Sequence, residues 1–562
     1  MEYLFVTAVI FAVVYGLFLM ESLRQKKEEK KWMARLYDDY FFLNDKTIRA
    51  ERFEKLNTLY LRHPTEHQID DITWNDLGMD KLFQRMNYTL SSTGEEYLYY
   101  RLRTLNHSDS ELKAFDDLVS YWEQHPDDRV RLHLCANKLG YLGKYSLYDY
   151  IENLDYLGER SNLRHILQDL LFLPAILLGF FNMTACIIAV IGLMLYNMIT
   201  YFREKGEIEP YITSFAYVLR LINVCEEAEQ FSIPAARQII EQIRNANRVL
   251  KPMRRNSFWV MSSNRGGQSS SDILGMLLDY VRMVFHVDLI KFNRMLQTLR
   301  KHTEEVDTLV MNFGLLECSA AIMIYRQSMC GWCRPEFTEQ KCVDFREAYH
   351  PLLESPVKNS IRAERGVLLT GSNASGKSTF LKTVAVNAIL AQSIYTCAAD
   401  SACLSFFDVY SSMALRDDIG SGESYYIVEI KALKRILDAG SRGENILCFV
   451  DEVLRGTNTV ERIAASTQIM KSLDSNNILC FAATHDIELT TLLERYYDNY
   501  HFEEEVCDGD IVFHYKLLDG KAVTRNAIRL LQLIGYDEQI IQNAAMQAEQ
   551  FVKTGVWSLT KE

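Results

Sequence analysis

The stretch Gly371-Ser372-Asn373-Ala374-Ser375-Gly376-Lys377-Ser378 follows the apolar run Val367-Leu368-Leu369 and precedes a helical pattern from Thr379 to Gln392. It fits G-x-x-x-x-G-K-[ST] in the strand, loop and helix context that this motif needs. Its glycines let successive backbone N–H groups turn inward around the β- and γ-phosphates of a nucleotide, its lysine brings a cation, and its last hydroxyl can hold Mg²⁺. The sequence therefore predicts an ATP or GTP site built by Gly371, Ser375, Gly376, Lys377, Ser378 and Thr379, with Ser378 as a metal ligand. The fold class expected with it is an α/β P-loop NTPase domain in the C-terminal part of the chain.

The second half of such a site should lie at the carboxyl end of a neighbouring parallel strand, where open α/β sheets bind their ligands. Ile446-Leu447-Cys448-Phe449-Val450 reads as a buried strand and ends in Asp451-Glu452. Asp451 is placed to hold Mg²⁺ through its water shell, and Glu452 to polarise an attacking water. A third apolar strand, Ile478-Leu479-Cys480-Phe481-Ala482, ends in Thr484-His485, where a histidine can donate a hydrogen bond to a γ-phosphate.

Between these elements lies Asp417-Asp418-Ile419-Gly420-Ser421-Gly422-Glu423-Ser424-Tyr425-Tyr426-Ile427-Val428-Glu429. It resembles the signature segment of the MutS family of DNA mismatch-repair ATPases. The resemblance continues in Asp451-Glu452-Val453-Leu454-Arg455-Gly456-Thr457-Asn458-Thr459, in Ala483-Thr484-His485-Asp486-Ile487-Glu488-Leu489 and in Tyr500-His501-Phe502, in the same order. It implies a Mg²⁺-dependent ATP hydrolase of the ABC-type class, with ATP and Mg²⁺ bound by Lys377, Ser378 and Asp451, Asn373 also near the phosphates, and Glu452 and His485 acting in cis. It further implies a homodimer in which Ser424 of one subunit approaches the nucleotide of the other. The segment Thr524 to Ala545 resembles the closing helix-turn-helix that clasps the partner; on periodicity alone an ordinary core helix pair fits nearly as well. At Ser372, Ala374 and Ser375 the loop departs from the family's usual proline, methionine and glycine, none of which supplies a required side chain.

The 562 residues, 48% of them hydrophobic, suit a globular chain of several domains that also carries limited membrane segments. Twelve scattered cysteines fit a reducing compartment, and Cys330-Gly331-Trp332-Cys333 has no second pair at zinc-ribbon spacing, so it is read as structural. Residues Tyr3 to Met20 carry one apolar run without a charge, enough to span about 30 Å of hydrocarbon at roughly 1.5 Å per residue. Arg24, Lys26, Lys27, Lys30, Lys31 and Arg35 follow, which predicts an anchor with a cytoplasmic positive flank rather than a cleaved signal. A second apolar block, Leu170 to Tyr201, is interrupted at Phe181-Asn182 and closed by Arg203 and Lys205. It exceeds one span, and a tight or re-entrant membrane hairpin is preferred over a single crossing, with a buried soluble hairpin as the alternative.

The expected division is an anchor over 1–21, a charged helical connector over 22–68 and an all-α, MutS-like core or lever domain over 69–169 and 203–340. The hairpin at 170–202 interrupts that domain, and the ATPase domain occupies 341–562. Within the lever region one long helix is expected from about Ile273 to Tyr325. In a chain of net charge −13, Arg244, Arg248, Lys251, Arg254, Arg255 and Arg265 form a local basic run beside Phe258 and Trp259. Such a run suits DNA phosphates, anionic lipid headgroups of a bilayer, or simply a solvated face. An N-terminal mismatch-reading domain has no counterpart before residue 69, so mismatch reading is not expected. The expected function is a multi-pass cell-membrane ATPase, its ATPase domain cytoplasmic, that binds DNA in repair or recombination; the alternative is an ATP-driven membrane switch or scaffold for a protein partner, without DNA.

Overall fold

A computed structural model of the chain describes residues 20, 23–24, 26–37, 39–44, 50–255, 257–261, 273–372, 375–413, 425–454, 458–507, 510–522, 528, 531, 535–555 and 557. The chain divides into two compact units, one of residues 1–64, 86–100 and 116–325, the other of residues 65–85, 101–115 and 326–562. The expected anchor Tyr3 to Met20 lies outside the described residues except for its last residue.

The first unit is mostly helical. Its helices include Pro126–Leu139, Met183–Ala228, Arg237–Leu250 and Val287–Lys301. Helix Thr303–Ser328 is apolar enough by length and composition to cross a membrane, yet 83% of its most apolar window is buried, as expected of a core helix. Gly314 in it allows close packing, since a Cβ there would sit 2.7 Å from the Cβ of Tyr97. Three residues on, the buried carboxylate of Glu317 accepts the Ser91 N–H at 3.1 Å, the Ser91 hydroxyl at 2.5 Å and the Leu90 N–H. Burying a charge is tolerated where such donors converge on it. Nearby, the buried Arg52 guanidinium pairs with Glu95 at 3.2 Å and Glu96 at 2.9 Å.

The second apolar block forms a helical hairpin. Leu163–Leu170, Phe172–Leu177 and a 3-10 turn Leu178–Phe180 run into the break at Phe181-Asn182. Asn182 then caps the next helix, its side-chain oxygen accepting the Ala185 N–H at 3.1 Å. That helix, Met183–Ala228, has 46 residues, about 69 Å at roughly 1.5 Å per residue, and changes character along its length. Ile187, Ile188, Ile191, Leu195 and Ile199 are exposed, whereas Ile212, Phe215, Val218 and Ile222 are buried in the helical unit. Leu163–Phe180 and the apolar start of Met183–Ala228 are each long and apolar enough to cross a membrane, and their apolar windows are only 22% and 17% buried.

The single helix expected from Ile273 to Tyr325 is instead three: Ile273–Phe285, Val287–Lys301 and Thr303–Ser328. The first break is His286, with φ +47°, in the left-handed region where non-glycine residues are uncommon and the released backbone groups need a partner to stabilise them. Asn197 is that partner: its Nδ2 donates to the Val284 carbonyl at 2.7 Å, and its own carbonyl lies 2.9 Å from His286 Nε2. A partner distant in sequence thus satisfies the groups that the helix end releases.

The second unit holds a six-stranded sheet of order β10-β9-β4-β8-β7-β6, with β4 Gly366–Thr370, β6 Asp408–Ser412, β7 Ile446–Asp451, β8 Ile478–Ala483, β9 Tyr497–Cys507 and β10 Asp510–Asp519. Strands β9, β4, β8, β7 and β6 are parallel, and β10 returns antiparallel from β9 at the edge. Every residue of β4, β7 and β8 is buried, as continuous apolar runs of a parallel sheet covered on both faces should be. Helix Lys377–Ile394 packs on β7 and β8, and helices Tyr425–Ser441 and Thr459–Ser472 flank the sheet. A second sheet, of order β1-β5-β2-β3, is built from β1 Glu336–Phe337, β2 Val343–Ala348, β3 Asn359–Ala363 and β5 Ser401–Leu404. Of the expected C-terminal helix pair, residues 523–527, 529–530 and 532–534 lie outside the described residues, and the second helix is Glu538–Thr554, with Ile540 exposed.

Candidate functional site

Register places the site. Leu368 pairs with Ala482 and Val450 also pairs with Ala482, so the carboxyl ends of β4, β7 and β8 lie side by side. The chain leaving β4 turns at Gly371, with φ +143°, a conformation suited to glycine. A Cβ on Gly371 would come within 2.7 Å of the Phe502 carbonyl oxygen, so the loop lies hard against β9. Gly376, with φ +109°, then opens helix Lys377–Ile394, whose first-turn N–H groups have no acceptor within the helix and lie at the positive end of its dipole. Lys377 is nearly buried and its ammonium donates to the carbonyls of Gly371 at 2.8 Å and Ser372 at 2.6 Å. Ser375 Oγ is buried inside the loop without a hydrogen-bond partner among the described residues. A glycine where a side chain will not fit suits a loop wrapped on an anion, and the buried hydroxyl is a polar group left for a ligand to satisfy.

Ser378 Oγ donates to Asp451 Oδ2 at 2.5 Å, joining the first turn of the helix to the end of β7. Oxygens paired in this way are hard ligands of the type that Mg²⁺ takes. The next residue, Glu452, has φ +57°, a strained conformation for a non-glycine, and its N–H donates to the Ala483 carbonyl at 2.9 Å. His485 Nε2 lies against the Glu452 carboxylate. The structure thus places His485 on that carboxylate, where the sequence reading had it directed at a γ-phosphate. Arg462 grips the neighbouring Asp486 through two hydrogen bonds of 2.9 and 2.6 Å, which fixes the segment bearing His485.

A cavity of about 500 Å³ opens from the loop, lined by Ser375, Gly376, Lys377, Ser378, Thr379 and Glu452, and on its other walls by His350, Val357, Phe502 and Tyr515. Burial, then the charge of Lys382, pushes the His350 imidazole down to about 4, so it is a neutral ring at pH 7. His350 and Tyr515 carry no motif; Tyr515 reaches the loop because β10 is irregular between Phe513 and Leu517. Glu429, the last residue of the signature-like segment, has a bracing place that its sequence position does not show. Its buried carboxylate accepts the Leu454 N–H and so braces the turn that holds Glu452 in its left-handed conformation. The structure brings together Gly371, Ser375, Gly376, Lys377, Ser378, Thr379, Asp451, Glu452 and His485, while Asn373 and Ser424 lie outside the described residues.

In the first unit, Arg244, Arg248, Lys251, Arg254 and Arg255 are exposed, and Arg265 lies outside the described residues. Lys251 pairs with Glu226 at 2.6 Å, and Arg254 pairs with the same carboxylate. The local positive charge is therefore smaller than the sequence run suggests.

Fold and site together define an α/β domain with a glycine-rich, anion-cradling loop at a strand-to-helix turn and paired carboxylates at the next strand ends. Residues 367–552 match the family model of MutS domain V. Through this region the chain is similar to the MutS family. It is 32% identical over 225 residues to the DNA mismatch repair protein MutS of Pseudothermotoga lettingae, covering 38% of this chain and 28% of that protein. It is 32% identical over 219 residues to the MutS of Thermus thermophilus, covering 38% and 26%, and 28% identical over 268 residues to that of Methanosarcina mazei, covering 45% and 29%. The chain thus spans under a third of the length of these relatives.

Proposed function

We propose that the chain is a Mg²⁺-dependent P-loop ATPase of the ABC-type class, attached to the cell membrane by its apolar helices with the ATPase domain in the cytoplasm, dimeric, and acting on DNA without reading mismatches. The observation that carries the nucleotide half is the joining of loop, helix start and strand end by the Ser378 to Asp451 hydrogen bond, beside the buried Lys377 and Ser375.

In this reading the loop N–H groups and Lys377 bind the phosphates, and Ser378 and Asp451 hold Mg²⁺. The metal supplies neutralisation of phosphate charge. Glu452 is the base that takes a proton from the attacking water, and His485 keeps its carboxylate aimed. The neutral His350 ring and Tyr515 offer flat, largely apolar walls for the base. Ser424 completes the site of the partner subunit, which makes turnover a property of the dimer.

The names of the relatives support the DNA half, and Arg244, Arg248, Lys251, Arg254, Arg255 and Arg265 are the candidate phosphate contacts. The pairing of Lys251 and Arg254 with Glu226, in a chain of net charge −13, favours a second reading, an ATP-driven membrane switch or scaffold for a protein partner. The test is ATP turnover of the full-length protein in lipid nanodiscs, with duplex, mismatched and branched DNA at two salt concentrations. Stimulation that fades with salt supports action on DNA. Turnover indifferent to every DNA selects the protein-partner reading.

A further inference from the structure

Away from the loop, at the amino end of β6, three side chains from distant parts of the second unit converge. His67 precedes helix Asp71–Asp76, His107 follows helix Ser92–Arg103, and Asp408 opens β6. His67 Nδ1 lies 2.9 Å and His107 Nε2 3.9 Å from Asp408 Oδ1, and the two imidazoles stack at 3.6 Å between centroids, 24° from parallel. The three potential ligand atoms lie within 4.8 Å of one another. Ligands of a tetrahedral zinc with bonds of about 2.05 Å are roughly 3.3 Å apart, between the two separations from Asp408, and the stacked imidazoles must turn for both nitrogens to face one ion.

The backbone keeps these positions together without help from the side chains. The Ile69 N–H donates to the Arg103 carbonyl at 2.9 Å and the Leu105 N–H to the His67 carbonyl at 3.0 Å. The buried Gln392 then pins the other two segments, its carbonyl accepting the Asn106 N–H at 2.9 Å and its side chain the Phe407 N–H at 2.8 Å. The Asp408 N–H itself donates to the Asn445 carbonyl at 2.8 Å. Ligands carried on a scaffold held this way lose little entropy when an ion binds.

We propose that His67, His107 and Asp408 form a binding site for a divalent transition-metal ion of the zinc class, with one coordination position left to water. Asp408 starts the strand whose other end lies on the nucleotide loop's side of the sheet, so the ion sits away from that loop and joins residues 65–85 and 101–115 to β6. Two nitrogens and one carboxylate oxygen suit zinc or cobalt, whereas Mg²⁺ prefers oxygen alone. His107 Nε2, 3.3 Å from the Phe407 carbonyl, would exchange that contact for the metal by a change of tautomer.

The test is titration of the full-length protein, stripped with chelator and kept in excess Mg²⁺, with Co²⁺ followed by its visible ligand-field absorption. One tight Co²⁺ per chain is expected, displaced by Zn²⁺, with affinity at least ~10-fold lower in His107→Gln and in His67→Gln. Wild-type affinity in both variants, or no bound Co²⁺ in the wild type, overturns the proposal. Pulsed electron paramagnetic resonance of the Co²⁺-loaded wild type keeps the question decidable if a variant does not fold: two imidazole nitrogens on the ion support the site, and none refutes it.

Discussion

Replacing Gly371 by alanine tests the loop geometry directly. At φ +143° a residue with a Cβ is strained by about 1–3 kcal/mol. The new Cβ would also lie 2.7 Å from the Phe502 carbonyl oxygen, a backbone atom of β9. β9 cannot retreat cheaply, because Thr370 pairs with His501 and Leu369 with Tyr500 in the parallel ladder. The loop must give instead, and moving it off β9 misaligns the N–H groups and Lys377. Taking about 2 kcal/mol of the strain as lost binding energy, nucleotide affinity should fall roughly 30-fold. Gly443→Ala is the control: φ is +87° there but no atom lies within 4 Å of a Cβ, so it should cost about 1 kcal/mol of stability and leave nucleotide affinity intact. The assay is binding of a fluorescent ATP analogue with thermal unfolding of the same samples. Wild-type affinity and unfolding temperature in Gly371→Ala would refute the reasoning.

Further outcomes follow from the same contacts. Glu317→Ala removes the acceptor of two backbone N–H groups and a hydroxyl in a buried turn and should destabilise by about 3 kcal/mol or more; a change under ~0.5 kcal/mol in chemical denaturation would contradict that account. Burial, then the charge of Arg129, holds the His133 imidazole down to about 3, and His350 is held to about 4. Both pKa values are depressed relative to an unfolded histidine near ~6.5, so their stabilising contribution is complete above that pH and is lost as pH falls toward those values. His133→Leu should therefore flatten the acid limb of the stability profile between roughly pH 6 and 4, and an unchanged limb would count against the assignment. Mixing a Ser424→Ala protein with a Lys377→Ala protein should restore turnover at one of the two composite sites; no recovery would rule out action in trans.

The nucleotide loop was legible because its chemistry is local: eight consecutive residues carry the glycines, the cation and the hydroxyl, and the strands beside it are unbroken apolar runs. Asp451 and Glu452 were legible for the same reason, as carboxylates at the end of such a run. The places of Tyr515, His350 and Glu429 at the candidate site were not, since an irregular edge strand, a loop and a buried helix face bring them there only in the fold. The helix breaks at His286 and His302 were hidden likewise, because periodicity continues across them while Asn197, far back in the chain, secures the first. His67, His107 and Asp408 show the same limit more strongly, with no spacing that links them.

The central claim is that Glu452 is the base of a nucleotide hydrolase. The measurement that tests it most directly is ATP retention and turnover by full-length Glu452→Gln, run beside Lys377→Ala. The account predicts that Glu452→Gln keeps ATP while turnover drops at least ~100-fold, and that Lys377→Ala fails to hold the nucleotide. Wild-type turnover in Glu452→Gln, or equal loss of binding in both proteins, would contradict it.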